Sequence, residues 1–108
     1  MDKDKMMDQA WENLSKVIDP EIGVSIMELN LVQKLEISDE GLATVEVKMT
    51  TPVCPSMLAL QLAYDVKNAV ASVEGVKKVN VTLLEHYMAE VINENVNQDR
   101  PAEESLKS

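Results

Sequence analysis

Two alternating runs on either side of a four-residue turn constrain this fold more than any other feature. Leu31, Gln33, Leu35 and Ile37 alternate with Val32, Lys34 and Glu36. Beyond "SDEG", residues 38–41, Ala43, Val45, Val47 and Met49 alternate with Thr44, Glu46, Lys48 and Thr50. A period of two marks a strand with one buried face, because successive side chains leave a strand on opposite sides. Ser, Asp, Glu and Gly between the runs are turn chemistry, so the pair reads as an antiparallel hairpin.

The rest of the chain fits around that hairpin. Met6, Met7, Ala10, Trp11, Leu14, Val17 and Ile18 recur in steps of three and four, the stripe of an amphipathic helix, with Lys16 placed to suit the dipole at its end. Pro20 stops this helix by biasing Asp19 away from helical geometry. "EIGVSIMELN" reads mostly as loop. Ala59, Leu62, Ala63, Val66, Ala69, Val70 and Val73 mark a second helix that closes at Gly75, a residue suited to the left-handed cap. Val79, Val81 and Leu83 then form a third strand. Strand, helix and strand in succession imply a right-handed parallel crossover. The expected fold is therefore α+β: a small mixed sheet of three strands, made of a hairpin plus one parallel crossover strand, with two main helices. "EHYMAEVINE" is either a short helix through Tyr87, Met88, Val91 and Ile92 or an irregular segment. The organisation expected is one domain over residues 1–92 and a polar, disordered tail over 93–108.

Composition removes several functions. The chain has 108 residues and a net charge of -9. That charge opposes nucleic acid and anionic membrane surfaces, which are bound through Lys and Arg. A basic protein or a cationic metal species is an easier partner. The chain has no Phe, one Trp and two Tyr, so the core is aliphatic and methionine-rich. One cysteine forms no internal disulfide, the N-terminus has no apolar signal core, and no apolar run reaches membrane-spanning length; the expectation is a cytoplasmic protein.

That one cysteine, Cys54, stands in "TTPVCPSM" between the second strand and the second helix. Pro55 suits the first helical position, which would make Cys54 the N-cap; Ser56 as cap moves the thiol outward. In either arrangement the sulfur meets the positive field of a helix start, which favours the thiolate, the form that ligates soft metals. Thr50 and Thr51 add hydroxyls, and Pro52 and Pro55 restrict the backbone. A lone Cys is equally often a buried, inert hydrophobe. Asp19 and Glu21 form a carboxylate pair after the first helix, although such residues commonly cap or face solvent. His86, with no second histidine at metal-ligand spacing, reads as a surface residue.

Two blocks, "VIDPEIGVSIMELNLV" and "MTTPVCPSM", resemble the metal–sulfur cluster biosynthesis family of SufT-like and PaaD-like proteins over residues 6–84. The resemblance implies an α+β domain in which the acidic turn of Asp19, Pro20 and Glu21 approaches the thiol loop of Thr51, Cys54 and Pro55. It implies an accessory or targeting role in iron–sulfur protein maturation, in a family whose domains also occur fused to P-loop ATPases. Three positions depart from the pattern. Asn30 stands where Gly is usual and is the best substitute for a left-handed turn. Val53 replaces a small residue, and "EHYMAEVINE" replaces a segment with Trp and Pro.

The function expected is a non-enzymatic accessory factor in iron–sulfur cluster assembly or delivery. Cys54 is the metal ligand, and Thr51, Asp19 and Glu21 complete the cofactor-binding set. The cargo is a transient iron–sulfur cluster or iron. Partners are assembly or client proteins, a P-loop ATPase carrier and a second copy of the chain. The alternative is a metal-free interaction module in which the cysteine is structural. A thiol enzyme is the weakest reading, since no histidine is placed as base.

Overall fold

The computed structural model describes residues 3–19, 22–49 and 56–97. Its elements are α1 (Lys3–Ser15), β1 (Val32–Ile37), β2 (Leu42–Lys48), α2 (Ser56–Ala71), β3 (Lys78–Leu84) and α3 (Ala89–Val96). β1 and β2 pair antiparallel, β2 and β3 pair parallel, and the sheet order is β1-β2-β3. The hairpin, the crossover and the mixed sheet are those the alternation predicts.

The hairpin turn closes through Ser38, whose N–H donates to Leu42 O (2.8 Å) and whose O accepts from Gly41 N (3.0 Å). Gly41 has φ 88°, and a Cβ there would lie 2.5 Å from the Gly75 carbonyl oxygen. Glycine is required on both counts. The Gly41 carbonyl in turn accepts from Lys77 N (2.8 Å), so the β1–β2 turn holds the chain as it enters β3.

Ala43, Val45 and Val47 of β2 and Val79, Val81 and Leu83 of β3 are buried, and with Leu35 and Ile37 they form the sheet's half of one continuous aliphatic core. Met6, Ala10 and Leu14 of α1 and Leu62, Ala63, Val66 and Val70 of α2 supply the helical half. The opposite sheet face is polar: Lys34, Glu46 and Thr82 lie in one register row and Glu36, Thr44 and Asn80 in another. Two layers, helices on one side of a sheet, bury the apolar faces of both. Asn13 of α1 donates to Ala69 O (2.9 Å) and Ser72 Oγ (3.0 Å), joining the two main helices.

Three boundaries differ from expectation. α1 stops at Ser15 rather than at the proline. Lys16 and Val17 donate to the carbonyls three residues back, tightening the last turn, and Ile18 leaves the core at 46% exposure to bridge Ser25. α2 ends at Ala71 and passes through a turn to Gly75, whose φ is 95°. "EHYMAEVINE" does form a helix, but α3 continues to Val96, past the boundary at residue 93 that polarity suggested. Residues 98–108 lie outside the described residues. Among the described residues no helix is long and apolar enough to cross a membrane.

Candidate functional site

The acidic turn after α1 is built from backbone hydrogen bonds. Asp19 N donates to Val24 O (2.9 Å), and Asp19 O accepts from Gly23 N (2.7 Å) and Ile22 N (3.3 Å). Ile26 N donates to Val17 O (3.0 Å), and the Ser25 hydroxyl donates to Ser15 O (2.8 Å), satisfying a carbonyl left over at the end of α1. Ile26 is fully buried and pins the loop to the core. Farther along, Asn30 takes φ 55°, the left-handed geometry expected where glycine is usual.

Asp19 itself has no exposed surface. A carboxylate is costly to bury unless its oxygens are satisfied, so the Asp19 side chain is held by the protein around it and not by solvent. Ile18 and Ile22, on either side of it in the chain, are 46% and 47% exposed. Met57, in the first turn of α2, is 66% exposed. A shallow depression of about 470 Å³ lies beside Ile18, with Lys16, Asp65 and Asn68 on its walls.

Of the four residues singled out from sequence, only Asp19 is placed; Glu21, Thr51 and Cys54 lie outside the described residues, as does the capping arrangement around Cys54 and Pro55. What the structure does fix is the frame on either side of the cysteine segment. Met49 follows β2, is buried, and donates its N–H to Leu84 O at the end of β3 (3.3 Å). Ser56 opens α2. The segment from 50 to 55 therefore connects the carboxyl end of the central strand to a helix start, where ligand sites of crossover units commonly form. Among the described residues no three His, Asp or Glu side chains converge as a metal site.

The sequence profile of the iron–sulfur cluster assembly protein family matches residues 7–83. The chain belongs to that family. The match spans α1 to β3 and therefore both the acidic turn and the cysteine segment. The chain is 43% identical over 81 residues to an uncharacterised protein of Methanocaldococcus jannaschii, covering 75% of this chain and 83% of that one. It is 35% identical over 68 residues to the Fe-S protein maturation auxiliary factor SufT of Staphylococcus aureus, covering 63% of this chain and 75% of that protein. Its fold is similar to the crystal structure of a domain of unknown function from Bacillus anthracis, with a TM-score of 0.69, 28% identity, and coverage of 82% of this chain and 92% of that one.

His86 departs from the sequence reading. It is only 8% exposed, its Nδ1 accepts from Met88 N (3.0 Å), and its ring lies 4.7 Å from that of Tyr87. It is a buried turn residue at the start of α3. Spacing rules for metal ligands carry no signal for a histidine whose ring nitrogen serves the adjacent backbone.

Proposed function

We propose that this chain is a non-enzymatic accessory factor in iron–sulfur cluster assembly or delivery, and that Cys54 contacts iron or sulfide transiently as a thiolate. The observation that carries the proposal is the family match over residues 7–83, which takes in the two blocks that bear Asp19 and Cys54. The name of the Staphylococcus aureus relative, an Fe-S protein maturation auxiliary factor, supports the same role. So does the position of Cys54, two residues before the first residue of α2, where a helix field favours the thiolate.

One cysteine is too few for a resident cluster, which is usually held by about four thiolates. Cys54 therefore supplies one ligand to cargo in transit, and the remaining ligands come from a client, a small thiol or a second copy of the chain. Thr51 and Glu21 are further groups within this proposed site. Asp19, which has no exposed surface, is a third such group, and its backbone N–H and carbonyl hold the acidic turn in shape. Assembly and client proteins are the partners, with a P-loop ATPase carrier among them. The net charge of -9 favours cationic iron species and basic protein surfaces over nucleic acid.

Anaerobic iron and sulfide loading of the wild type and of Cys54→Ser tests this reading. The wild type is expected to take up iron that a client apoprotein then removes, and the variant to take up none. The alkylation rate of Cys54 is expected to titrate below the ordinary thiol value of about 8.5. Full client maturation by Cys54→Ser would leave the cysteine a structural residue and the chain an interaction module without metal chemistry.

A further inference from the structure

β3 is an edge strand, and the residues lying along its outer side belong to a helix. Asn93 Oδ1 accepts from Leu83 N (2.6 Å) while Asn93 Nδ2 donates to Leu83 O (3.2 Å). One turn on, Asn97 Oδ1 accepts from Val81 N (2.7 Å) while its Nδ2 donates to Val81 O (2.8 Å). Each amide thus exchanges both bonds with a single strand residue. That is the pattern of a hydrogen-bonded pair in an antiparallel ladder, reproduced by side chains.

The spacing explains why a helix can do this. A step of four residues rises about 6 Å along a helix, close to the ~6.6 Å between alternate residues of a strand. Asparagine is short and carries both an acceptor and a donor, so two of them at that step match two rungs. α3 runs antiparallel to β3, since the higher-numbered asparagine meets the lower-numbered strand residue. The next helical step in the sequence, residue 101, is a proline and offers no third amide.

Burial makes the bonds necessary. Val81 and Leu83 are 0% and 1% exposed, and Ile92 and Val96 of α3 are buried over the same region. Backbone groups under such a cover need protein partners. The C-terminal end of α3 is further held by α2, where Lys67 Nζ donates to Val96 O (2.7 Å). The strand beneath has the composition of a self-pairing segment: Val79–Leu84 reads VNVTLL, six residues with no charge and no proline.

We propose that Asn93 and Asn97 act as a surrogate fourth strand that closes the β3 edge, and that without them α3 lifts from the strand and the chain pairs through β3 with a second copy of itself. The partner is another β3 laid antiparallel across a two-fold axis, because two identical edges paired in that way are self-complementary. This device is separate from the cysteine segment and does not depend on metal binding.

The test compares the wild type with Asn93→Ala/Asn97→Ala by amide exchange and by sedimentation across a concentration series. At low concentration the Val81 and Leu83 amides of the variant are expected to exchange about tenfold faster or more, each having lost a hydrogen bond. The buried Val45 amide stays slow if the core is intact. At high concentration the variant's mass is expected to double, with protection returning at Val81 and Leu83. Unchanged exchange at these two amides overturns the proposal, and so does faster exchange with the wild-type mass at every concentration. Should the double variant fail to fold, Asn97→Ala alone leaves the Asn93 rung in place. It is expected to accelerate Val81 and spare Leu83; equal acceleration of both, or of neither, overturns the assignment of rungs.

Discussion

β1 and β3 are both edges of the same sheet, yet they are protected by different means. β1 carries Lys34 and Glu36, with Lys34 Nζ 3.6 Å from Glu36 and 4.0 Å from Glu46, and its ladder is irregular between Val32 and Lys34. Charge and a bulge make an unattractive template for another strand. A groove of about 440 Å³ separates it from Lys3 and Met7 at the start of α1. β3 beyond its first residue has no charge, and its edge is closed instead by the amides of Asn93 in α3 and of Asn97, which caps its C-terminal end. The difference teaches that an edge can be guarded cheaply by its own side chains or, where the strand carries no charge, by hydrogen bonds from a dedicated element.

The largest effect is expected where the two edges share a support. Gly41 lies in the turn between β1 and β2 and touches Gly75 on the way into β3. Gly41→Ala combines a left-handed backbone with a backbone clash and is expected to cost about 2–4 kcal/mol in urea unfolding. An effect within error would mean the two edges are set independently of that contact. A smaller change of opposite sign tests the β3 side alone. Glu85, at φ 56°, turns the chain from β3 toward α3. Glu85→Gly relieves that geometry and is expected to raise stability by about 0.5–1 kcal/mol after the added flexibility of the unfolded chain is counted. The smallest effect belongs to β1: Lys34→Ala removes only solvent-exposed ion pairs and is expected to change the unfolding free energy by about 0.5 kcal/mol or less. A loss well beyond that would make β1 as dependent on specific contacts as β3.

Legibility in the sequence follows the same division. Elements stabilised by apolar faces were readable from period alone: the hairpin at Leu35 and Ile37 against Ala43 and Val45, α2 through Leu62 and Val66, and β3 through Val79, Val81 and Leu83. Elements stabilised by polar groups were not. α3 docks with Asn93 and Asn97 as well as Ile92 and Val96, so hydrophobic rhythm alone places its second half in a tail. His86 looked exposed because nothing in its spacing reveals a ring nitrogen serving the backbone of Met88. The stripe of α1 continues through Val17 and Ile18 while the helix does not, since the Ser25 hydroxyl and the Ile18–Ser25 bridge claim the chain first. For the site, the motif blocks were legible and agree with the family; the burial of Asp19 was not, because an acidic residue before a proline is ordinarily solvated.

The parallel ladder also has a consequence in time. Leu42 pairs with Lys78 across the whole of α2, so joining the third strand to the hairpin closes a long loop, and such distant closures are slow. The asparagines that shield it come later still in the chain. During synthesis, VNVTLL leaves the ribosome before its cover does, so the uncharged strand is made ahead of the amides that close its edge.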